Sequence, residues 1–432
     1  MMLLQTDDQT IDDLRLFARR DQAGIYDIYN HATTRGGESL LEEMFRCPLS
    51  DREAITARAG IIADFAALSC SFPFAGALLD SAEKYISFTE ESLGGQKAGL
   101  GEKEIQNGVM AMISLLHEVR RFLSDNGPVA RVAGLSNERA RMLLLLDDEA
   151  LQPVFREKPG GKLSYAAITA FDVLLRIREK EKVVVVLQFI YLVDVYLSVA
   201  RVARERDFVF PLVHPKGSAV LKVEGVYHPE LKDPVANDLS MDSQRNIVFL
   251  TGANMAGKST FLRALSTALY VAHMGFPVAA GRMEFSVMDG IYTTINLPDN
   301  LGIGASHFYA EVLRVKKIAT ELAAGRSLFV LFDELFRGTN VKDAYEGTVE
   351  VIRSFARRTT SMFIVSSHIV EAGAQLEQLS NIGFHFLPTR MNGHRPEYTY
   401  TLQEGITADR HGMIIIRNEG ILDILKNGKK RG

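Results

Sequence analysis

A short glycine-bearing stretch between an apolar run and a helix-forming run constrains the fold of this chain more than any other feature. The stretch GANMAGKS matches the pattern G-x-x-x-x-G-K-[ST] through Gly252, Gly257, Lys258 and Ser259. The apolar run NIVFL precedes it, and the helical pattern STFLRALSTALYVAHM begins at its last residue. Glycines at such a turn let backbone N–H groups surround an anion at a helix N-terminus. The sequence therefore predicts a phosphate-binding loop in an α/β domain.

The residue types in this loop indicate how it would hold a nucleotide. Lys258 is expected to reach the β- and γ-phosphates, and the Ser259 hydroxyl is expected to bind Mg²⁺. Asn254, Met255 and Thr260 complete the predicted nucleotide-binding residues of the loop. The alternative is a glycine-rich turn without a ligand, and the strand and helix that flank the pattern weigh against it.

An acidic pair follows a second apolar run, in SLFVLFDELFRGTN. The pattern predicts a buried strand that ends in Asp333 and Glu334, whose side chains diverge from adjacent backbone positions. Asp333 is expected to hold Mg²⁺, and Glu334 to orient or deprotonate the attacking water. Taken alone, such a pair is as often the start of a helix. Beside a phosphate loop, the catalytic interpretation is favoured.

A histidine ends a third apolar run, SMFIVSSH. Ligands of an open α/β sheet lie beyond the carboxyl ends of its strands, so His368 is expected to face the same crevice as Glu334. It could sense the γ-phosphate through a hydrogen bond. A lone histidine after a strand is more often a structural polar residue.

The two halves of the chain have different hydrophobic patterns. From about Ile11 to Arg206, apolar residues recur at three- and four-residue spacing, which predicts helices. After FPLVHPKG the patterns predict strands at SAVLKVEGV, NIVFLTG, DGIYTTIN, SLFVLFDE, MFIVSSH and NIGFHFLP. We expect an all-α domain over residues 1–209, an α/β domain over 210–425 and a basic tail over 426–432.

One apolar helical segment, residues 183–200, is nearly long enough to cross a membrane. Gln188 and Asp194 interrupt it, and RVARERD continues its helical pattern, so we expect a buried helix and no membrane contact. Cys47 and Cys70 have no metal-ligand spacing, and the N-terminus has no secretory pattern. A reducing, cytoplasmic location is therefore expected.

Four segments together resemble the MutS family of DNA mismatch repair ATPases. TGANMAGKSTFLRA resembles its phosphate loop, DELFRGTN its metal and catalytic-base segment, and SSHIVEA its switch-histidine segment. DNLGIGASHFYAEV resembles its signature loop, with Ser306, Phe308 and Glu311 at matching positions. The helical half also resembles the family's core domain at its beginning and its closing helix, whereas residues 71–180 match only in helical texture.

The resemblance implies an ABC-ATPase-like P-loop NTPase domain with a mostly parallel sheet, preceded by an all-α core and lever domain. It implies ATP and Mg²⁺ as cofactors and a catalytic role for Lys258, Glu334 and His368. Family sites are composite, so Ser306 would reach the nucleotide of the opposite subunit in a homodimer. Tyr400, in EYTYTLQEG, matches a position that offers a ring to adenine. A buried core tyrosine is an equal alternative there.

The chain also departs from the family pattern. We expect neither the mismatch-reading domain nor the connector domain, and the middle of the chain is too short for both helical levers and a DNA clamp. Phe336 stands where a glycine is usual in the family. Pro234 stands near the place where an aromatic residue often packs on adenine.

Two hypotheses of function follow, from different classes. The first is a MutS-like ATPase that couples ATP to binding of duplex, branched or distorted DNA, with repair proteins as further partners. The second is an ATP-gated binding or scaffold protein that acts on a protein or a ribosome. A net charge of −4 excludes a wholly basic nucleic-acid protein but leaves room for a basic groove. A small-molecule kinase is disfavoured, since a kinase needs neither a glutamate at the position of Glu334 nor a signature loop.

Overall fold

The structure, a computed structural model, describes residues 2–19, 22–87, 100–253, 255–295, 307–392, 395–406, 420 and 424–425. The chain divides into two compact units. The sheet unit contains Met1–Tyr26, Cys47–Thr56 and Asp207–Gly432, and the helical unit contains Asp27–Arg46 and Ala57–Arg206. The division at Asp207 is close to the expected boundary. The segments 1–26 and 47–56, expected in the all-α domain, lie instead in the sheet unit, because their backbones bond to its strands and turns.

Helices make up the regular structure before the first strand. Their bounds are α1 (Asp8–Asp13), α2 (Ile25–Tyr29), α3 (Arg35–Arg46), α4 (Arg52–Leu68), α5 (Gly76–Ser87), α6 (Glu102–Phe122), α7 (Ser136–Leu146), α8 (Gln152–Arg156), α9 (Tyr165–Asp172) and α10 (Lys180–Glu205). Short 3₁₀ turns occupy Pro128–Arg131, Ala133–Leu135 and Glu149–Leu151, and Val173–Arg178 is a π-helix. The three- and four-residue spacing of apolar residues in this half of the chain therefore predicted helices correctly.

Helix α10 is long and apolar enough to cross a membrane by length and composition alone, but 72% of its apolar window is buried inside the protein. Core helices pass the same test. Of the two polar residues that interrupt its sequence, Gln188 is exposed and Asp194 has partners in the helical unit. Asp194 is 1% exposed and accepts N–H bonds from Thr33 at 3.0 Å and from Thr34 at 2.8 Å. Its carboxylate thus satisfies backbone donors in the turn that leads into α3.

Replacing Asp194 with Ala is expected to lower the free energy of unfolding of the helical unit by about 2–4 kcal/mol. The variant leaves the buried N–H group of Thr34 and the partly buried N–H group of Thr33 without this acceptor. Urea unfolding followed by circular dichroism measures the loss. Asp80→Ala, an exposed carboxylate on α5, is the matched control and should change stability little. Equal stability of the two variants would contradict the capping role.

The sheet unit alternates strands with helices. Its strands are β1 (Leu212–His214), β2 (Leu221–Val226), β3 (Asn237–Met241), β4 (Ile247–Gly252), β5 (Arg282–Ser286), β6 (Gly290–Thr294), β7 (Leu328–Phe332), β8 (Met362–Ser366), β9 (Ile382–Leu387), β10 (Thr389–Asn392), β11 (Arg395–Tyr398) and β12 (Gln403–Glu404). Its longer helices are α11 (Lys258–His273), α12 (His307–Ala323), α13 (Val341–Phe355) and α14 (Val370–Leu376). The α/β class expected for this part of the chain is confirmed.

Within the described residues, the largest sheet has the order β12-β9-β4-β8-β7-β6. Neighbours from β9 to β6 pair in parallel, and only β12 is antiparallel to its neighbour. A second sheet has the order β1-β5-β2-β3, and β10 and β11 form a separate pair. The runs predicted as strands contain β2, β4, β6, β7, β8 and β9. The prediction omitted the short strands that complete both sheets.

The order of the large sheet determines where polar side chains meet. Strands β4, β7 and β8 are almost entirely buried, as expected for parallel strands covered on both faces. Aromatic rings fill the space beside β7 and β8, where Phe355 stacks on Phe363 with centroids 4.5 Å apart. Because β8 lies between β4 and β7, the loops that follow Gly252, Phe332 and Ser366 are neighbours beyond the carboxyl ends of these strands. Ligands of parallel α/β sheets bind at this end of the strands.

Residues 3–13, here called the arm, run along the outer edge of β6. Gln5 pairs in parallel with Gly290, and its N–H donates to the Asp289 carbonyl at 2.8 Å. Leu3 pairs with Leu49 from the second N-terminal segment of the sheet unit. The arm then turns into α1, whose N-cap Asp7 accepts the Thr10 N–H at 3.1 Å. These pairings explain why the N-terminal segments belong to the sheet unit.

Candidate functional site

The loop between β4 and α11 has backbone angles that require glycine. Gly252 has φ 148° and Gly257 has φ 97°, both in the region that favours glycine. A Cβ at Gly257 would also lie 2.9 Å from a ring carbon of Tyr400. Met255 has φ 70° and is 77% exposed, and Asn254 lies outside the described residues. Glycine at positions 252 and 257 therefore lets the backbone turn from β4 into the start of α11.

Lys258 is the first residue of α11 and turns back into the loop. Its ammonium Nζ donates to the Gly252 carbonyl at 2.8 Å and to the Ala253 carbonyl at 3.2 Å. The residue is 5% exposed, and this burial lowers the pKa of the ammonium, opposed by the charges of Glu334 and Asp333. Phosphate oxygens would replace the two loop carbonyls as acceptors for the cation.

Three oxygen-bearing side chains meet at the end of β7. The Ser259 hydroxyl donates to Oδ2 of Asp333, and the Ser366 hydroxyl donates to Oδ1 of the same carboxylate. Mg²⁺ prefers oxygen ligands such as hydroxyls and carboxylates. One or two protein oxygens are enough to bind it when waters and phosphates supply the other ligands. Ser259 and Asp333, the two predicted metal ligands, are therefore in contact and have the donor chemistry that Mg²⁺ requires.

Glu334 extends toward His368 and is held from several sides. Its Oε1 contacts Nε2 of His368, its Oε2 accepts from Arg337 at 3.0 Å, and its N–H donates to Ser366 Oγ at 3.0 Å. The hydrogen bond from His368 is the largest cause that lowers the pKa of Glu334, to about 2; Arg337 and Lys258 add to it, and burial opposes it. The carboxylate is therefore ionised at neutral pH and can accept a hydrogen bond from water.

Ser366 was not among the residues predicted from the sequence. It is fully buried at the end of β8 and joins the two acidic residues, since its hydroxyl donates to Asp333 and accepts from the Glu334 backbone. The sequence signal that could have identified Ser366 was its position at the end of an apolar run predicted as a buried strand of the same sheet. Its role depends on β8 lying beside β7, which the sequence does not give.

Replacing Ser366 with Ala is expected to raise the Mg²⁺ concentration needed for half-maximal nucleotide hydrolysis by about 10–100-fold, as for other groups that orient metal ligands. The Asp333 carboxylate would lose the bond that holds Oδ1, and the Glu334 N–H would lose its acceptor. Titration of hydrolysis with Mg²⁺ measures the shift. Ser354→Ala, on the exposed side of α13, is the control. An unchanged Mg²⁺ requirement would contradict this role of Ser366.

A cavity of about 270 Å³ opens beside the phosphate loop. Gly257 and Thr260 border it on one side, and Tyr400, 45% exposed with φ 56°, borders it on another. Asn237 holds this tyrosine in place, because its Nδ2 donates to the Tyr400 carbonyl at 3.0 Å and its Oδ1 accepts from the Leu402 N–H at 2.6 Å. The tyrosine ring thus faces a space next to the loop rather than a closed core.

Of the remaining predicted residues, Phe308 packs beside the acidic turn, and others lie outside the described residues. Ser306 and the tail 426–432 lie outside them. Phe308 packs edge-on against Phe336 at 5.7 Å between ring centroids. Phe336 has φ 62°, a left-handed angle that explains why glycine is usual at this position in the family. The residue is buried, with 5% of its surface exposed. Glu311, on the same helix as Phe308, is also 5% exposed.

Among the described residues, Lys258, Ser259, Asp333, Glu334 and His368 thus lie together beyond the carboxyl ends of β4, β7 and β8, where Ser259 contacts Asp333 and Glu334 contacts His368. A comparison with protein families identifies this part of the chain. The family model described as MutS domain V matches residues 248–430. The match contains every predicted site residue from Gly252 to Tyr400.

Proposed function

The chain belongs to the MutS family through its domain V, a P-loop ATPase domain, and from this premise we propose that it is a Mg²⁺-dependent ATP hydrolase that works as a homodimer and couples ATP to DNA binding. The contact of Ser259 with Asp333, next to the ionised Glu334, is the observation that supports hydrolysis most directly. A phosphate loop used only to bind nucleotide needs no second carboxylate at this place.

Each side chain has a distinct part in the proposed reaction. Lys258 binds the β- and γ-phosphates and stabilises the charge that develops on them. Ser259 and Asp333 would hold Mg²⁺, which would neutralise phosphate charge. Glu334 accepts a hydrogen bond from the attacking water and aligns it with the γ-phosphate. His368, in contact with Glu334 Oε1, keeps this carboxylate oriented and ionised.

The cavity beside Gly257 is proposed to take the adenine of ATP. It borders the loop that would hold the phosphates, and Tyr400 offers one aromatic face to it. The segment around Pro234 contributes Asp233 and Val235 to the lining instead of a second ring. Stacking on one face, with apolar contact on the other, is the proposed mode of base binding.

The homodimer is proposed because Ser306, at the family's signature position, would complete the site of the partner subunit. The described part of α12 begins at the next residue, His307. ATP would then be an interfacial ligand that tightens the dimer, and hydrolysis would loosen it. A differential affinity of about 1–3 kcal/mol between two dimer states is sufficient for such coupling.

DNA binding is tested by its dependence on salt. We expect the Glu334→Gln variant with ATP to bind duplex or branched DNA, and the affinity to fall steeply between 50 and 200 mM salt, about 10³-fold or more if six or more phosphates are contacted. Fluorescence anisotropy with labelled duplexes measures the slope, and the same protein without nucleotide is the control. Binding that is absent or insensitive to salt would contradict the DNA proposal and favour a protein or ribosomal partner.

A further inference from the structure

Tyr400 has a backbone conformation that few residues other than glycine adopt. Its φ of 56° lies in the left-handed region, where the Cβ of an L-residue crowds the following carbonyl oxygen. Such a conformation persists where the surrounding structure fixes it, and conformations of this kind are concentrated at ligand-binding sites. The residue borders the cavity of about 270 Å³ and is 45% exposed. The contacts that hold Tyr400 in this conformation therefore also set the direction of its ring.

The side chain of Asn237, the first residue of β3, holds this backbone. Its Nδ2 donates to the Tyr400 carbonyl at 3.0 Å, and its Oδ1 accepts from the Leu402 N–H at 2.6 Å. A side-chain amide carries donors and an acceptor in one plane, so it can pair with a carbonyl and an N–H as a neighbouring strand would. Asn237 is 7% exposed, so it makes these bonds away from water.

The same amide also bonds to a second segment of the cavity wall. Its Nδ2 donates to the Val235 carbonyl at 3.2 Å, and Val235 lines the cavity together with Tyr400. One buried side chain thus joins two segments of the wall that lie more than 160 residues apart in the sequence. Loss of the amide would leave the Tyr400 carbonyl and the Leu402 N–H without this partner, and it would release both segments from each other.

The contacts that fix the turn at Tyr400 act on its backbone. Besides Asn237, the hydroxyl of Thr399 holds the turn, because it donates to the Pro388 carbonyl at 3.2 Å. The Tyr400 ring lies beside Gly257 of the phosphate loop, where an added Cβ would approach the ring to 2.9 Å. An anchored backbone with a half-exposed ring is the reverse of a buried core tyrosine, and it suits a ring that stacks on a flat ligand.

We propose that Asn237 is a positioning residue for the base of the nucleotide: it fixes Tyr400 in the left-handed conformation and so presents the ring to the base. This role rests on the proposed binding of ATP. The phosphates have separate ligands in Lys258 and Ser259, whose own hydrogen bonds run to the loop carbonyls and the acidic turn. Loss of the Asn237 amide is therefore expected to weaken binding of the base and to spare binding of the phosphates.

Two ligands, one with a base and one without, test this expectation. In Asn237→Ala the dissociation constant of ADP, measured by calorimetry, is expected to rise on the order of 10-fold, within the range for loss of one stacked aromatic ring. The constant for inorganic tripolyphosphate, which has no base, should stay within about twofold of the parental value. In ATP hydrolysis KM should rise, while kcat stays within about twofold. Gln244→Ala, an exposed amide in the turn before β4, is the control and should change neither constant.

A double-variant cycle identifies the path of the effect. Tyr400→Ala should weaken ADP binding at least as much as Asn237→Ala does, and the double variant should bind ADP no more weakly than Tyr400→Ala alone. If Asn237→Ala costs as much in the Tyr400→Ala background as in the parent, the positioning role is overturned and the base cavity stands. An equal loss for ADP and tripolyphosphate overturns it too, because Asn237 would then act on the phosphate loop.

Failure of the proposed function gives a different result. If the parent binds ADP and tripolyphosphate but Tyr400→Ala changes neither constant, the base does not stack on Tyr400, and the inference is overturned with the phosphate loop intact. A parent protein that binds neither ligand contradicts nucleotide binding itself and, with it, the role of Asn237.

Asn237→Asp guards against a folding defect. The carboxylate keeps the volume of the amide and can accept from the Leu402 N–H, but it cannot donate to the Tyr400 carbonyl. It should therefore repeat the loss of ADP affinity if Asn237→Ala is insoluble. Parental affinity for ADP in either soluble variant would overturn the inference.

Discussion

Replacing Lys258 with Ala is expected to abolish ATP hydrolysis, with a loss of at least about 100-fold, because the variant removes the only side-chain cation of the loop that faces the β- and γ-phosphates. Nucleotide affinity should fall with it. The fold should persist, since burial of this ammonium lowers its pKa and so opposes its charged form in the folded chain. Phosphate release and binding of a fluorescent ATP analogue measure the two losses.

The control for this variant is Lys316→Ala, which removes an exposed ammonium from α12. Thermal unfolding of both variants should lie close to that of the parent. A Lys258→Ala protein that hydrolyses ATP at the parental rate would overturn the assignment of the phosphate loop. Lost hydrolysis together with a lost fold would instead show that the lysine is needed for structure.

Replacing Glu334 with Gln is expected to spare ATP binding and to slow hydrolysis by about 10²–10⁴-fold. The amide keeps the shape of the side chain, but it cannot accept a proton from water. The parent residue is ionised throughout the neutral range, since the pKa of its carboxyl lies near 2. The variant should therefore accumulate with ATP bound, and as a dimer if the site is composite. Single-turnover hydrolysis and size-exclusion chromatography with ATP measure both properties.

Glu346→Gln, an exposed position on α13, is the matched control. Hydrolysis by Glu334→Gln at the parental rate would show that another group activates the water. His368 is the next candidate, because its Nε2 contacts Glu334 Oε1. The variant His368→Asn would then be expected to lose the activity that Glu334→Gln retains.

The core of the site was predictable because its signals are local. Gly257, Lys258 and Ser259 lie in one continuous pattern, and the ends of three buried strands carry Asp333, His368 and the loop itself. Parallel strands place such ends at one edge, so their convergence followed from the fold class. What the sequence did not give was the exact neighbour of each strand, and with it the role of Ser366.

The division of the chain into units was less predictable, because it depends on contacts between residues far apart in the sequence. The helical periodicity of residues 8–13 is real, but the partners of Thr10 and Asp13 lie some 280 residues further along the chain. Asp194 shows the same limit. It interrupts an apolar run, and the backbone N–H of Thr34 that it accepts lies about 160 residues earlier in the chain. Local periodicity identifies helices, whereas the unit to which a helix belongs depends on contacts of long sequence separation.

The arm also imposes an order on the folding of the newly synthesised chain. Asp13 leaves the ribosome 280 residues before its partner Thr293, an interval on the order of tens of seconds at usual elongation rates. The whole helical unit, which ends at Arg206, emerges within that interval and can fold first. A nascent chain can thus hold a folded helical unit while Thr10 and Asp13 still lack Thr293, their partner on β6. Translation products that stop before residue 290 leave both side chains permanently without their strand.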